Sequence, residues 1–473
     1  MASPASILPS TPARFKLPFV IGASAAGTTI EWYDFYLYGV LATFFASHFF
    51  PKGNDVAALL ATLATFGAGF AVRPFGAVVF GRIGDLVGRK FTFLLTISLM
   101  GGSTALVGLL PTYATIGILA PILLVLIRLL QGLALGGEYG GAAIYVAEHS
   151  PDARRGFFTS FIQTTATMGL LLALAVIGIT RLIIPTAQFE QWGWRIPFLL
   201  SIILVAIALY IRLKLQETPL FRRLKEAGNS STQPLRDSLG SGKNWRLIGL
   251  ALFGMTAGQA VVWYQGQFQA LFFLQTTEGV KFIDTYLIVG TAILLGTPFF
   301  IFFGWLSDRI GRKPVILSGM ALAAITYFPI YTLMDRFSHA VKGADGKVVV
   351  GGAHPDILPL ILLVFIQIVY VTMVYGPIAA FLVEYFPAKI RYTSLSVPYH
   401  LGNGWFGGFL PLIAASLAAA TGNKYAGLIY PITIAVISII IGGLFIRETF
   451  RNRIWDEVGG EQEPPMASTV TPA

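Results

Sequence analysis

The residues best suited to chemistry are ionisable side chains inside long apolar stretches. Glu31 and Asp34 lie three positions apart in the first stretch, so they share one face of a helix. Arg73 lies in the second stretch and Arg128 near the middle of the fourth. Charged side chains within a membrane span are costly and usually functional. These four residues are therefore the first candidates for a functional site.

The fourth stretch combines charge with small residues. Gln131 and Glu138 follow Arg128 on the same helical stripe. Gly132 and Gly136 form a neighbouring stripe, and small residues at this spacing permit close helix packing. We expect a substitution of either glycine by leucine to reduce the yield of folded protein.

A guanidinium in a membrane interior needs an anionic partner. The carboxylates at comparable depth are Glu31, Asp34 and Glu138, so we expect Arg73 and Arg128 to pair with them. Burial favours a neutral carboxyl group, whereas a nearby guanidinium favours the ionised form. Movement of an arginine between partners would then control protonation, with Asp34 carrying the proton, Arg128 setting its affinity and Glu31 as the rival carrier. A static cluster that only packs the helices is the alternative.

Polar side chains in the other stretches are candidates to bind a substrate. In the seventh stretch, amides and an indole follow one another at i, i+4 and i+8. The predicted substrate-binding residues are Arg73, Arg128, Gln131, Gln163, Gln259, Trp263, Tyr264, Gln267, Tyr370, Tyr375, His400 and Asn403. Helix packing or interhelical hydrogen bonding explains any single one of them, but the group as a whole favours a cavity lining.

The composition indicates that these residues are positioned by membrane-spanning helices. Of the 473 residues, 55% are hydrophobic and 12% are charged, and the mean hydropathy is +0.71. A soluble domain carries about 25% charged residues. Apolar stretches long enough to span a bilayer occur near 19–45, 57–80, 91–110, 117–146, 157–183, 196–214, 246–274, 283–303, 314–334, 358–384, 394–419 and 427–447. The sequence therefore predicts an all-α integral membrane protein with twelve transmembrane helices.

The basic residues predict the orientation and the division of the chain. Most Lys and Arg residues lie in the terminal segments, in the central loop and in the other loops on the same side as the termini. The positive-inside rule then places both termini in the cytoplasm, and it explains the net charge of +10 without a nucleic-acid partner. We predict a six-helix bundle over 1–214, a cytoplasmic linker over 215–245, a second six-helix bundle over 246–447 and a disordered tail over 448–473.

Two pairs of loops repeat between the halves. GRIGDLVGRK at 81–90 and GWLSDRIGRK at 304–313 share G-x3-D-x2-G-R-K. AEHSPDARRG at 147–156 and VEYFPAKIRY at 383–392 share E-x2-P-x3-R. Each pair follows the second or the fourth stretch of its half. Duplicated halves with a site between them are typical of secondary transporters.

The repeated loops predict a conformational latch. Asp85 and Asp308 would face the positive N-terminus of a neighbouring helix, and the adjacent basic residues would form ion pairs that break when the halves rock. The latch residues are Gly81, Asp85, Gly88, Arg89, Lys90, Asp308, Arg312, Lys313, Glu148, Arg155, Glu384 and Arg391. A purely topological role of the positive charges is the alternative.

The combined motifs resemble those of the major facilitator superfamily, whose best-known signature is the G-x3-D-x2-G-R-K loop. TTIEWYDFYLYG, RPFGAVVFGRIGDLVGRK, RLLQGLALGGEYGGA, WGWRIPF and EYFPAKIRYTSLS narrow the resemblance to the metabolite:proton symporter family. That family includes carriers of citrate, 2-oxoglutarate, shikimate, and proline or betaine. The resemblance implies two pseudo-symmetric six-helix bundles, alternating access, proton symport and a location in the bacterial inner membrane. Likeness to sugar/proton symporters of the superfamily also points to Asp34 facing Arg128.

Other function classes fit the sequence less well. The chain has no cysteine, no ligand pair among its five histidines, no nucleophile–base constellation and no nucleotide-binding glycine loop followed by Lys-Ser/Thr. We therefore expect no metal, no cofactor and no enzymatic activity. A passive facilitator would not need the buried charges, a drug exporter normally has a more apolar cavity, and a sensor would need an output domain. The prediction is a monomeric, proton-coupled importer of an organic acid or zwitterion, with a passive facilitator or proton-driven exporter as alternatives.

Overall fold

Twelve helical spans follow one another in the part of the chain that the structure describes. The computed structural model describes residues 17–51, 54–86, 89–137, 139–213, 236, 239–344, 348–387 and 391–454. The predicted linker lies mostly outside these residues. Within them, the structure contains no β-strand beyond an isolated bridge between Lys342 and Val348.

The bounds of the spans match the predicted stretches closely. They are α1 (Leu17–Val40, continued by Ala42–Phe49), α2 (Asp55–Ala71 and Arg73–Leu86), α3 (Arg89–Leu109), α4 (Leu119–Gly136 and Tyr139–His149), α5 (Arg155–Ile183), α6 (Arg195–Leu213), α7 (Gly242–Thr277), α8 (Phe282–Gly296 and Pro298–Ile310), α9 (Arg312–Ser338), α10 (Ile357–Tyr375 and Ile378–Tyr385), α11 (Arg391–Leu401, continued to Leu410–Thr421) and α12 (Ile429–Phe445).

Length and hydropathy identify most of these spans as transmembrane. Within the described part of the chain, nine helices are long and apolar enough to cross a bilayer, and the bent pair Thr186–Gly193 and Arg195–Tyr210 makes a tenth. The helices Leu17–Val40 and Arg89–Leu109 occupy the positions of the first and third predicted spans.

Several spans are interrupted in their middle. The breaks in α2, α8 and α10 each lie beside a proline, Pro74, Pro298 and Pro377, because proline removes a backbone donor and clashes with the preceding turn. In α7, three π-helical turns alternate with α-helical ones, at Leu252–Thr256, Gln265–Gln269 and Phe273–Thr277. Such turns are frequent at functional sites because they widen the helix locally.

The two halves pack against each other through related helices. Spans α2 and α11 are in contact, and so are α5 and α8. In the internal repeat, α2 corresponds to α8 and α5 corresponds to α11. The α2–α11 contact and the α5–α8 contact are therefore equivalent. Span α10 also contacts α4 and α5. The face formed by the loops after α2, α4, α8 and α10 is called the basic face below, and the other is called the opposite face.

Two glycines of α4 allow the close approach of α2. A Cβ added at Gly132 would lie 1.7 Å from the carbonyl oxygen of Gly69, and one at Gly136 would lie 2.1 Å from that of Arg73. Both distances are far inside van der Waals contact, and the atoms that are met belong to the backbone. The small-residue stripe seen in the sequence therefore packs directly against the helix that carries Arg73.

Gly132→Leu and Gly136→Leu are expected to remove most of the folded protein. Overpacking costs about 1–3 kcal/mol where side chains can rearrange, and the α2 backbone cannot move aside in this way. The measurement is the monodisperse yield after detergent extraction. Gly102→Leu is the matched control, because a Cβ at Gly102 meets no atom within 4 Å. Normal yield of both α4 variants would show that these glycines do not set the packing distance.

Candidate functional site

Ion pairs at the basic face centre on Glu384 of α10. Its Oε1 accepts a hydrogen bond from Arg155 Nη1 at 2.9 Å and from Arg312 Nη2 at 3.0 Å, and all three side chains are fully buried. Arg155 begins α5 in the N-terminal half, whereas Glu384 and Arg312 belong to the C-terminal half. Separation of the halves at this face therefore breaks a buried ion pair.

Asp308, at the end of α8, joins the halves at the same face. Its Oδ1 and Oδ2 accept hydrogen bonds from the backbone N–H groups of Gly156 and Phe157, both at 2.8 Å. These groups lie in the first turn of α5, where free N–H groups and the helix dipole favour an anion. Asp308 also pairs with Arg312 at 2.6 Å. The geometry agrees with the predicted placement of Asp308 at a helix N-terminus.

Two other predicted latch residues, Lys313 and Arg391, donate hydrogen bonds to backbone carbonyl groups of the C-terminal half. Lys313 Nζ donates to the carbonyl oxygens of Gly443 and Ile446, Arg391 Nε donates to that of Phe386, and Glu148 is buried. The surroundings of five predicted latch residues, and of the fourth predicted proton-coupling residue, lie outside what the structure describes. They are Gly81, Asp85, Gly88, Arg89 and Lys90, and Glu138.

A short segment after α12 completes the closure of the basic face. Glu448 accepts hydrogen bonds from the backbone N–H groups of Arg312 and Lys313 at 2.9 and 3.0 Å, so it caps the start of α9. Thr449 Oγ1 donates to Glu384 Oε2 at 2.9 Å. The sequence analysis placed these residues in a disordered tail from 448 onward. Through 454 the chain instead packs onto the ion pairs, and the residues after 454 lie outside the described part.

A small cavity lies between the halves at the centre of the molecule. It is lined by Thr28, Glu31, Trp32, Arg73, Leu135, Tyr139, Tyr399 and His400. The first six residues belong to α1, α2 and α4, and the last two belong to α11. Three of the predicted site residues, Glu31, Arg73 and His400, are thus brought together across the two halves.

Arg73 presents an unsatisfied guanidinium to this cavity. The side chain is fully buried, and none of its three nitrogen atoms has a hydrogen-bond partner in the part of the chain that the structure describes. Its Cζ lies 5.0 Å from the ring centroid of Trp32, 4.6 Å from that of Phe35 and 4.0 Å from that of Phe70. Stacking on aromatic faces stabilises the cation, but the donors remain available for a ligand.

Arg128 also contacts Phe35, but it does not line the cavity. Its Nη1 donates to the Phe35 carbonyl oxygen at 3.2 Å and to Gln131 Oε1 at 2.7 Å, and Gln131 Nε2 donates to Thr104 Oγ1 at 2.8 Å. The Phe35 ring centroid lies 4.2 Å from the Arg128 guanidinium carbon and 4.6 Å from that of Arg73. The ring of Phe35 therefore contacts both cations.

Asp34 does not form the predicted pair with Arg128. The carboxylate is buried beside Ser201 of α6, and within the described residues no donor meets either oxygen with good hydrogen-bond geometry. The neighbouring Tyr33 hydroxyl also reaches α6, where it donates to the Pro197 carbonyl oxygen at 2.7 Å. Adjacent positions on a helix point about 100° apart. Phe35 therefore meets Arg128, whereas Asp34 is turned towards α6.

A pair of tyrosines closes the cavity between α4 and α11. The rings of Tyr139 and Tyr399 stack with centroids 3.5 Å apart. Tyr139 donates to Gln163 Oε1 at 3.0 Å, Gln163 Nε2 donates to the Tyr375 carbonyl oxygen at 2.9 Å, and the hydroxyls of Tyr375 and Tyr399 are 2.6 Å apart. The predicted residues Gln163 and Tyr375 thus act through two tyrosines that the sequence analysis did not select.

The remaining predicted residues of the C-terminal half divide into three groups. Gln259 and Asn403 exchange hydrogen bonds at 3.2 and 3.3 Å, so they satisfy each other. Trp263 stacks on Tyr36, and Tyr264 meets Phe70 edge to face, so both contact the N-terminal half. Within the described residues, Gln267 is buried without a hydrogen-bond partner, and the Tyr370 hydroxyl accepts a hydrogen bond from Thr326 of α9.

The halves are also in contact at the opposite face. Thr43 Oγ1 donates to Gln275 Oε1 at 3.4 Å, and the Tyr286 hydroxyl donates to the Val40 carbonyl oxygen at 3.0 Å. Together with the ion pairs of the basic face, these contacts enclose the central cavity on both sides.

Comparison with known proteins identifies the chain. The family model described as "Sugar (and other) transporter" matches residues 19–246. The shikimate transporter of Escherichia coli is 34% identical over 88% of this chain and 91% of its own length. The alpha-ketoglutarate permease of the same organism is 34% identical over 94% and 96%, and its proline/betaine transporter is 33% identical over 90% and 83%. The chain belongs to the major facilitator superfamily.

Solved structures of the superfamily show the same fold. A partially occluded, inward-open structure of the xylose transporter XylE from E. coli aligns with 92% of this chain and 98% of that chain, with a TM-score of 0.69 at 19% identity. The predicted twelve-helix major facilitator fold is thereby confirmed. This superfamily member is a multi-pass membrane transporter of metabolites rather than an enzyme.

Proposed function

We propose that the protein imports a small organic acid or zwitterion together with protons, by alternating access of the central cavity to the two faces. The observation that carries the proposal is the pair of unsatisfied charges in the core, the guanidinium of Arg73 and the carboxylate of Asp34. Unsatisfied charges at such depth are costly, and a transporter that retains them uses them for its cargo or its coupling ion.

The two kinds of charge suit different partners. Arg73 lines the cavity and can bind an anionic group of the substrate through several N–H donors. Asp34 lies away from the cavity beside Ser201, in a site that a proton can occupy but that a larger ligand cannot share. Glu31 lines the cavity and is the second candidate for the coupled proton.

Closure on both sides supports alternating access. The buried Arg155–Glu384 pair and the Asp308 contacts hold the basic face closed, and the contacts of Thr43 and Tyr286 hold the opposite face closed. We propose that opening one set while the other remains intact exposes the cavity to one side at a time. By the positive-inside rule, the basic face and both termini lie in the cytoplasm, and the protein works as a monomer in the inner membrane.

Uptake into proteoliposomes tests this proposal. A panel of mono-, di- and tricarboxylates, betaines, amino acids and sugars is offered with an imposed pH gradient, acidic outside. We expect at least one organic acid or zwitterion to accumulate above its external concentration, and a protonophore to abolish the accumulation. Equilibration without accumulation, with or without the gradient, would identify a passive facilitator instead.

A further inference from the structure

We propose that Arg73 binds the single carboxylate of the substrate, and that the carrier prefers monocarboxylates, including zwitterions, over di- and tricarboxylates. This inference rests on the proposed function, and it narrows the substrate class. All three nitrogens of the buried guanidinium lack a partner among the described residues, and a carboxylate can accept two parallel N–H bonds from it.

No second cation is available in the cavity wall. The described lining residues include one guanidinium and no lysine. Arg128 is not among the residues that line the cavity; its Nη1 donates to the Phe35 carbonyl oxygen and to Gln131, whereas its Nε and Nη2 have no partner among the described residues. A second carboxylate of the substrate would therefore have no cationic partner.

The acidic member of the lining opposes a second negative charge. Glu31 shares the cavity with Arg73, so an ionised Glu31 repels a further carboxylate and attracts an ammonium group. The rings of Trp32, Tyr139 and Tyr399 form the rest of the wall, and such rings accommodate an apolar body or a quaternary ammonium group. One positive and one negative group in an aromatic cavity suit a substrate with one carboxylate.

Matched ligand pairs test the preference directly. Benzoate against terephthalate and butyrate against succinate each differ by one carboxylate, and glycine betaine serves as the zwitterion. Binding to the purified protein is measured by calorimetry at constant pH. We expect the better-binding monocarboxylate or betaine to bind at least about tenfold more tightly than either dicarboxylate. Tighter binding of a dicarboxylate, or no binding by any monocarboxylate probe, would overturn the inference.

Variants assign the effect to Arg73. Arg73→Gln is expected to abolish binding of the preferred probe, while Arg195→Gln, at a half-buried arginine that lies beside Trp194 and does not line the cavity, leaves it unchanged. Retained binding in Arg73→Gln would overturn the anchor. If that variant does not fold, the inference is tested by the affinities of the wild-type protein for the matched mono- and dicarboxylates. The experiment needs no pH gradient, so a failure of proton coupling is distinguishable from a failure of this inference.

A different observation concerns an ion-pair cluster at the opposite face. Lys424, between α11 and α12, donates to Glu278 Oε1 at 3.1 Å and also to Asp335 of α9. The Tyr425 hydroxyl donates to Asp335 Oδ2 at 2.6 Å. Glu278 immediately follows α7, and its side chain is fully buried. These four residues, called the outer cluster, tie the end of α7 to two other elements.

The long loop after α9 holds the same end of α7. The Gly351 N–H donates to the Gly279 carbonyl oxygen at 2.8 Å, and the Val349 N–H donates to that of Val341 at 2.8 Å. The last π-helical turn of α7, Phe273–Thr277, directly precedes Glu278 and contains Gln275, which contacts Thr43 of the N-terminal half. The outer cluster is therefore placed to control the part of α7 that closes this face.

We infer that Glu278 is a proton-binding site whose protonation stabilises the closed form of the opposite face. The charged groups that face it are Lys424 from the α11–α12 connection and Asp335 from α9, with Tyr425 beside them. Burial raises the pKa of Glu278 to about 7 in the closed form, and the contacts with Lys424 only partly oppose this rise.

The sign of the pH effect follows from linkage. If opening exposes Glu278, its pKa falls towards the ordinary value for glutamate, so the closed form binds the proton more tightly. The stabilisation of the closed form is thus present in acid and is lost as the pH rises through about 7. Between pH 8 and pH 6, the ratio of closed to open protein should rise by up to about tenfold.

Thiol labelling of the purified protein measures this ratio. The chain has no cysteine, so Thr43→Cys introduces one reporter at the contact between the halves. Glu190→Cys, an exposed position on the same face, corrects for the pH dependence of the thiol reaction itself. We expect the corrected labelling of Thr43→Cys to fall by up to about tenfold from pH 8 to pH 6.

Added substitutions identify the responsible group. In the Thr43→Cys background, Glu278→Gln should keep labelling at the low-pH level throughout, whereas Glu190→Gln should retain the wild-type dependence. An unchanged pH dependence in Glu278→Gln, or none in the wild type, would overturn the inference. The readout requires neither transport nor a particular orientation in the membrane.

Discussion

Asp34→Asn is expected to abolish accumulation of substrate driven by a pH gradient, while exchange of internal for external substrate persists. Asparagine has nearly the shape of aspartic acid but cannot exchange a proton, so the carrier would behave as if permanently protonated. Among the described residues Asp34 forms no ion pair with Arg128 or any other cation, so the substitution breaks no ion pair of the closed structure. Counterflow and gradient-driven uptake, measured in the same proteoliposomes, separate the two activities.

Glu31→Gln is the parallel test and Glu190→Gln the control. Glu31 lies in the cavity wall, so its neutralisation should alter substrate binding as well as coupling, whereas the exposed Glu190 should affect neither. Gradient-driven accumulation by Asp34→Asn would exclude Asp34 as the proton carrier. Loss of coupling in Glu31→Gln alone would assign the proton to Glu31.

Glu384→Gln is expected to slow transport by about 100-fold with little change in the apparent affinity for substrate. It leaves Arg155 and Arg312 without their shared carboxylate in a fully buried site. Removal of one partner of a buried pair costs about 3–5 kcal/mol, and a loss of about 3 kcal/mol corresponds to roughly a 100-fold change in a population ratio. Opening of the basic face relieves this cost, so the open form should accumulate.

Labelling of Ser160→Cys reports that opening. Ser160 of α5 is fully buried against Gly304 of α8, so a thiol there reacts only when the basic face opens. Glu384→Gln should increase its rate of labelling, and Glu384→Asp should restore part of the transport rate. A defect confined to the affinity for substrate, with labelling as in the wild type, would contradict the gating role of Glu384.

The fold could be predicted from the sequence because its determinants are local and repeated. Apolar runs mark each span, and the duplicated loops at 81–90 and 304–313 mark the two halves. The motif led us to expect Asp308 at the N-terminus of a neighbouring helix, but only the structure identifies that helix as α5. Glu448 was missed because a short polar segment after the last span resembles a disordered tail in composition.

The arrangement inside the site could be predicted only in part. Their positions within the apolar stretches place Asp34 and Arg128 at a similar depth in the membrane. A rotation of α1 by one residue, however, decides whether Asp34 or Phe35 meets the arginine. In α7, the i, i+4, i+8 pattern assumed an uninterrupted α-helix. The π-helical turn Gln265–Gln269 adds a residue to that turn, so Gln267 leaves the stripe of Gln259 and Trp263.

The sequence alone did not reveal the contact between the two tyrosines of the cavity, Tyr139 and Tyr399. Tyr139 lies in the conspicuous GGEYGGA segment, and Tyr399 is adjacent to His400, so both had a local signal. Their importance comes from stacking across the halves, and no local pattern shows which residues of α4 and α11 meet. Pairing between helices distant in sequence becomes visible only in the folded structure.

Direct detection of proton movement tests the central claim of coupled transport. Wild-type proteoliposomes loaded with a pH-sensitive dye, at equal pH on both sides and with the membrane potential clamped, are given the substrate found in the uptake panel. Coupled transport predicts that the interior acidifies as the substrate enters, and that Asp34→Asn vesicles show exchange without acidification. Entry of substrate into wild-type vesicles without any change of internal pH would contradict proton symport.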